Sequence, residues 1–518
     1  MAQEMGSGLG PGEILLGKVS KAVMTRLIYI PFDQLNVGRG AMKIAKRESD
    51  VIVLVESQRM LTGRKWHKQR LQFLISSARH FGAELSEAGW SVQYIQSPTT
   101  IDGLDQVRRQ YPQAELICAT PNSFRTRAQL EASGVTFVEN DFFLTSEFQF
   151  RSWAEKQKTF TMENFYRAQR TRLSILMQDG QPIGGAWNFD ADNRLPPPKQ
   201  HDWGGSPKFV ADEIDLAVTR ELPATAWGSL GDKIWGTTRR EALVQMNHFF
   251  THHFAQFGPY EDAMPSTSWT GHHSLLSPYL NNGLLTPQEV IEAALERFSH
   301  GDIPISSCEG FIRQIIGWRE YINGMYWYLG DDYRENNNLQ ASRDLLPLFH
   351  DPEKTKMNCV KSVLSDVQAY GWTHHIPRLM VLSNLALLTG TSPKQFLEWM
   401  REVFIDAADW VMVPNVIGMA THADNGLLMT KPYASGGAYI SKMGQFCKSC
   451  SYDPKKRTGM NACPFTTLYW DFLDRHVETF ANNHRMFQQL SGLRRLSDLE
   501  DVKLRAAEVL DGLSAGEV

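Results

Sequence analysis

The spacing of apolar residues changes period once along this chain, and that single change limits the fold to two unlike halves. Over residues 26–145, short β-branched runs alternate with helical stretches. Residues 26–30, 51–55, 92–95 and 116–119 read as strands. Between the second and third, residues 67–88 carry Leu71, Leu74, Ile75, Ala78 and Phe81 as a stripe of helical period. This β-α-β succession predicts a parallel sheet with helices on both faces. No G-x-G-x-x-G follows the first strand, which weakens a dinucleotide reading there. From Thr237 onward strand signals vanish and helical periods run to the end. The stretch between is mixed, and Pro196-Pro197-Pro198 and Trp203-Gly204-Gly205 mark it as a connecting segment. The expected division is therefore an α/β domain over 24–150, a connector over 151–240 and an all-helical domain over 241–518. Residues 1–23, rich in glycine and without the layout of a signal peptide, read as a flexible extension or a cloning remnant.

Four cysteines lie in the helical part. Cys447, Cys450 and Cys463 form a C-x2-C-x12-C run with a proline after the last, and Cys359 waits upstream. A C-x2-C pair delivers two thiolates from one tight turn, and a fourth ligand can come from elsewhere in the fold. The bland alternative is a set of ordinary buried thiols, which the regular spacing disfavours. Spacing alone leaves zinc and an iron–sulfur cluster both open. Six cysteines in 518 residues are too few for a secreted disulfide scaffold and point to a reducing compartment. No apolar run approaches membrane-spanning length. The net charge of −4 argues against wholesale coating of nucleic acid and leaves room for a local basic groove. Fourteen tryptophans and 11% aromatic residues favour a planar cofactor.

The helical half also holds a polar loop, His272 to Gly283, entering a helix, where backbone N–H groups suit a phosphate. Serine and histidine before a helix are more often plain caps. Further on come Glu309 to Tyr321, with Arg313 and Gly317 one turn apart, then Trp372-Thr373-His374-His375-Ile376-Pro377-Arg378. Asp406 and Asn415 flank residues 409–414.

These segments, in this order, resemble the photolyase/cryptochrome family. The segments Asn188 to Arg194, Glu309 to Tyr321, Thr430 to Tyr433 and Asn461 to Phe465 are specific. With the cysteines they resemble the iron–sulfur bacterial cryptochromes and photolyases, the group that includes prokaryotic (6-4) photolyases. The likeness runs from about Arg26 to about residue 500. It implies a Rossmann-like antenna domain, a helical FAD-binding domain with a 4Fe-4S cluster on Cys359, Cys447, Cys450 and Cys463, and UV-damaged DNA as the partner of a cytoplasmic, bacterial, monomeric enzyme.

The resemblance further implies roles. His273, Ser274, Leu275, Leu276 and Ser277 would face the FAD pyrophosphate. Arg378 and Asp406 would form an ion pair beside the isoalloxazine, with Gln314, Trp318, Asn384, Met412, Asn415 and Gly418 around it. Trp318, Leu379, Met380 and Tyr433 would meet a flipped-out lesion, the leucine and methionine as wedges. His375 would donate the proton that distinguishes (6-4) repair, with His374 positioning it. Asp33, Gln34, Leu35 and Glu56 would hold a 6,7-dimethyl-8-ribityllumazine antenna, and Trp399 would pass electrons to the flavin. Several positions depart from the family pattern. Met412 replaces an asparagine or glutamate facing flavin N5, Ala408 a side chain often polar or aromatic, and Met60 an antenna glutamate. His350-Asp351 stands where an outer tryptophan is expected. The expected activity is light-driven repair of (6-4) photoproducts, and the alternative is a cryptochrome photoreceptor that signals without repair.

Overall fold

The computed structural model describes residues 25–518; the glycine-rich extension expected over 1–23 lies outside them. Five parallel strands, β1 (Arg26–Tyr29), β2 (Val51–Ser57), β3 (Ser91–Ser97), β4 (Glu115–Ala119) and β5 (Thr136–Val138), form a sheet in the order β3-β2-β1-β4-β5. The four expected strands are present. β5, only three residues long, gave no readable run. The expected helix is Lys68–Glu87, with the His67 ring capping it by accepting the Gln69 N–H at 3.1 Å.

Side chains alternate across the sheet, as a pleated strand dictates. Leu27, Tyr29, Val53 and Val55 meet Leu104, Val107 and Leu130 from the helices Thr100–Gln110 and Phe124–Ala132. On the opposite face, Ile28, Ile30, Ile52 and Leu54 share one core with Phe249, Phe254, Tyr279 and Phe311 of the C-terminal half. Main-chain contacts follow the same route, since Leu35 N–H donates to the Asn282 carbonyl at 2.9 Å. The halves thus differ in architecture while sharing a core.

The stretch 151–240 is packed rather than slack. It forms the helices Met162–Leu173 and Glu213–Glu221 and a small hairpin, and the fully buried Arg170 donates to the carbonyls of Ile175, Leu176 and Trp187. Beyond Pro182 the described residues contain helices and no strand. Three of these helical segments, Arg313–Arg319, Pro377–Ser383 and Asn415–Ala420, have π-helical winding, and the described residues contain no others. Such segments are rare and recur at functional sites. No helix among the described residues is long and apolar enough to cross a membrane.

Candidate active site

The three π-helical segments carry Gln314 and Trp318, then Arg378, Leu379 and Met380, then Asn415 and Gly418. An extra residue per turn shifts side chains off the normal helical face, so each segment can turn polar groups inward without breaking its helix. Arg378 donates from both terminal nitrogens to Asp406, at 2.9 and 3.0 Å, and from Nε to the Thr373 carbonyl at 2.6 Å. Its guanidinium lies 4.0 Å from the centre of the Phe404 ring. Ser277 Oγ donates to the same carboxylate at 2.7 Å, and Asn281 Nδ2 to the Asp406 carbonyl at 2.8 Å. One bidentate ion pair therefore pins the His272–Gly283 loop, through the Asp406 turn, to the π-helical segment that carries Arg378.

That loop is shaped for an anion. Leu275 has φ +56, unusual for a leucine, and is followed by Leu276 in a right-handed conformation. Successive left- and right-handed residues turn their N–H groups to one side and make an anion-binding concavity. Among the described residues, the N–H groups of Ser274, Leu275 and Ser277 have no partner in the chain, while that of Leu276 is spent on Ser274 Oγ at 3.3 Å. The helix that follows, Ser277–Asn282, is short, so these N–H groups rather than a long helix dipole supply the attraction.

Three imidazoles meet beside the loop. His273 and His374 stack at 4.1 Å with an interplanar angle of 19°, and His375 stands edge-on to both. His273 Nε2 lies 3.1 Å from the Glu261 carbonyl, an acceptor only, so this nitrogen carries the proton and Nδ1 is bare. Burial, reinforced by neighbouring imidazoles, holds both His273 and His374 well below the usual histidine range. His374 Nδ1 is buried without a partner among the described residues. His375 differs: its side chain is 46% exposed and its Nε2 lies 3.8 Å from Asp262 Oδ1. Two neutral rings thus back one exposed, ionisable ring facing a carboxylate.

Other expected residues are placed differently. The Asn384 amide is spent on Ser435, donating to its carbonyl at 2.8 Å and accepting its N–H at 3.1 Å, so it ties down the loop after Tyr433. Met380 is buried in the helical core, and of the two expected wedges only Leu379 reaches towards solvent. A Cβ on Gly418 would meet Tyr333 and Leu428, so that glycine serves packing of the chain on itself. Met412 is buried, Asn415 donates back to the Val411 carbonyl at 2.8 Å, and Trp318 and Tyr433 are half-buried.

Of the expected antenna residues, Asp33, Gln34 and Leu35 follow β1 beside the end of β4, the point at which the strand order reverses and open α/β sheets take their ligands, while Glu56 lies on β2. Asp33 accepts from Asn122 Nδ2 at 2.9 Å, and burial raises its carboxyl. Leu35 is buried, and Gln34 Oε1 is buried without a partner among the described residues. Glu56 departs from the expectation. Arg79 grips both its oxygens at 2.8 and 3.0 Å, with Tyr94 and Gln96 at 2.6 and 3.1 Å, which leaves it nothing to offer a ligand.

Trp399 is fully buried, stacks on Phe396 and donates from its indole to the Phe349 carbonyl at 2.8 Å. The next carbonyl, of His350, accepts from the indole of Trp227 at 3.1 Å. Two indoles therefore hang on consecutive carbonyls, the inner one buried and the outer one half-exposed. Sequence reasoning could not pair them, since Trp227 lies 123 residues from His350.

All four expected cysteines line one apolar pocket with Met357, Ile440, Phe446, Tyr452 and Phe465. Cys359 and Cys463 stand at the starts of the helices Asn358–Tyr370 and Pro464–Arg475, where the positive helix end favours thiolates. Burial pushes the Cys463 thiol up to about 11 and raises that of Cys359 well above the usual thiol range, so neither is a free thiolate at neutrality without a metal to displace the proton. A Cβ on Gly437 would come 2.8 Å from Cys463 Sγ, so only glycine fits there. One zinc holds its sulfurs at about 2.3 Å and hence about 3.8 Å from one another. No three of these sulfurs lie within 4.8 Å of one another. The array is wider than a single zinc requires.

A doubly wound sheet sharing a core with a helical half, and a loop, ion pair and imidazole group within that half, define a photolyase-type architecture. The comparisons agree. The family model described as deoxyribodipyrimidine photo-lyase-related protein matches residues 28–235. The (6-4) photolyase of Agrobacterium fabrum is 39% identical over 508 residues, covering 94% of this chain and 99% of that protein. The uncharacterized protein R855 of Acanthamoeba polyphaga mimivirus is 27% identical over 134 residues, 26% of this chain and all of that one. The crystal structure of a bacterial class III photolyase from Agrobacterium tumefaciens aligns over 96% of this chain and 100% of that one, with TM-score 0.57 and 14% identity, a likeness of fold. The chain belongs to the photolyase/cryptochrome family, and within it stands with the bacterial (6-4) photolyases.

Proposed function

We propose that this protein repairs (6-4) pyrimidine photoproducts in DNA under blue light. The observation that carries the reading is the histidine arrangement: His375, exposed and facing Asp262, is backed by two rings that burial keeps neutral. Returning the hydroxyl to its base requires a proton at that position, and an imidazole supplies one near neutrality. FAD, when bound, supplies the light-driven electron. The free N–H groups of Ser274, Leu275 and Ser277 would take its phosphates, and the Arg378–Asp406 pair would set the charge beside its ring. Trp318 and Tyr433 would offer flat walls to the extruded lesion, with Leu379 as the wedge.

Trp399 is the inner electron carrier in this reading, and Trp227 takes the place of the outer aromatic that 350–351 lacks. The wide cysteine pocket supports a 4Fe-4S cluster that ties the C-terminal helices together. Asp33, Gln34 and Leu35, at the switch point of the sheet, are the best support for a ribityllumazine antenna. We assign the protein to the bacterial cytoplasm, as a monomer acting on damaged duplex.

The test is repair of a lesion-bearing oligonucleotide under blue light by protein with reduced flavin. His375→Ala should bind flavin and damaged DNA yet lose repair by about 10²–10⁴-fold, the usual worth of a general acid. His375→Asn should not restore it, because an amide is no proton donor. Repair by His375→Ala at the unsubstituted rate would remove His375 from the chemistry.

A further inference from the structure

Five histidines left without a role in the reading above gather where the connector crosses the helical half. His248 and His252 lie in the last turns of the helix Arg239–His252, and His253 caps its end. Opposite them runs the stretch His201-Asp202-Trp203-Gly204-Gly205. The Gly205 carbonyl faces two of the rings, 2.8 Å from His248 Nε2 and 3.0 Å from His253 Nε2. Those two nitrogens are only 3.3 Å apart. Gly204 permits the approach: its φ is +61, and a Cβ there would come 2.8 Å from His253 Cε1. Behind His253 the contacts continue through imidazoles. His253 Nδ1 lies 3.1 Å from His272 Nδ1, and His272 Nε2 lies 2.8 Å from His201 Nε2.

We propose that His248, His253 and the Gly205 carbonyl bind a divalent transition metal such as zinc, which staples the connector to the helical half. Tetrahedral zinc holds imidazole nitrogens at about 2.1 Å and hence about 3.4 Å from one another, close to the spacing found. An ion about 2.1 Å from both nitrogens reaches the carbonyl oxygen at the same distance. His252 is exposed, with its ring centre 4.6 Å from that of His248, and can swing in as the fourth ligand. The negative end of the helix favours a cation there, and Asp202, which accepts the Gly204 N–H at 2.8 Å, brings a carboxylate to the same turn. A ligating imidazole also needs a partner for its other N–H. His253 has one: with Nε2 on the metal it donates from Nδ1 to His272, which donates from Nε2 to His201. The partly exposed His201 ring exchanges its proton with water, so three tautomers shift together and no ring gains a charge. Imidazole donors suit zinc, nickel or copper, whereas magnesium and calcium take oxygen. Gln245, three residues before His248, donates to the Ser274 carbonyl at 3.0 Å, so the staple lies directly behind the anion loop.

The experiment is calorimetric titration of tag-free, full-length, flavin-loaded protein with zinc chloride, alongside melting curves. One zinc per chain should bind at micromolar concentration and raise the melting temperature, because an ion that binds only the folded chain stabilises it. His248→Gln and His253→Gln should each weaken binding at least tenfold and remove the thermal shift at the same zinc concentration. Cobalt separates this site from the cysteines, since cobalt held by imidazoles lacks the intense absorption of cobalt held by thiolates. No binding, an affinity unchanged in His248→Gln, or cobalt bound with the thiolate absorption alone overturns the inference. Should His253→Gln fail to fold, His248→Gln carries the same test from a half-buried position.

Discussion

At the scale of single residues, chemistry here depends on which polar atoms are already spent. Glu56 looks free in the sequence and is saturated in the fold, because Arg79, Tyr94 and Gln96 converge on it from a neighbouring helix and strand. Asn384 is likewise consumed by Ser435. The opposite error hid His253, in an unremarkable His252-His253-Phe254 run, whose partners His272 and Gly205 lie 19 and 48 residues away. Residue types at fixed local spacing, such as the cysteines and the His374-His375 pair, were legible; anything decided by a distant partner was not. Trp227 belongs to the second kind and yields a prediction. In the proposed route, with a soluble thiol as the final reductant, an electron passed inward by Trp399 would leave a vacancy for Trp227 to refill from outside, and two oxidised thiols would then couple to a disulfide. Trp227→Phe should slow light-driven reduction of bound oxidised flavin at least tenfold, and leave repair by chemically reduced protein unchanged. Unaltered photoreduction in this variant would place the exit elsewhere.

At the scale of elements, apolar periodicity revealed the strands and the long helices, because burial on one face imposes spacing directly. It could not give the π-helical winding. One extra residue in a turn looks like ordinary drift in an apolar stripe, and its cause is tertiary: each such segment packs against other site elements. Close packing also explains Gly324, in the helix Glu320–Leu329, where an added Cβ would fall within the Phe150 ring of the helix Glu147–Ala154. Phe150 is fully buried, and neither helix can retreat from the shared core. Gly324→Ala should therefore cost about 1–3 kcal/mol, despite alanine being the better helix former. Denaturant unfolding measures this, and a neutral or stabilising result would mean that the Phe150 ring has room to swing aside.

At the scale of the whole molecule, buried imidazoles set the response to acid. His67 and His476 are held down to about 4 and His272 to about 3, chiefly by burial, and His273 and His374 lie well below the usual range. Each binds its proton more weakly folded than unfolded, so the stability it protects is complete above about 6.5 and is lost as pH falls. Glu261 and Asp366, raised by burial to about 7, act in the opposite sense between about 4.5 and 7, gaining stability as pH falls. Burial also lowers His253, His350 and His422 and raises Asp33, Glu84, Glu309, Glu320 and Glu402, but by less; among the large shifts five groups stand against two, and the melting temperature of flavin-loaded protein should be lower at pH 5 than at pH 7.5. A flat or rising trend would show that the rings are not neutral when folded.

The core beneath the sheet reaches further than stability. Because Ile28, Ile30, Ile52 and Leu54 are covered by Phe249, Phe254, Tyr279 and Phe311, the N-terminal third is not a cassette that can be lifted out and replaced. A graft ending near residue 150 would carry an uncovered apolar sheet face into solution and leave its complement bare. Recombination between relatives can succeed only where both sides of that seam travel together. The α/β and the helical parts of such a protein are thereby inherited as one unit, and substitutions at the seam must be matched across about 220 residues of chain.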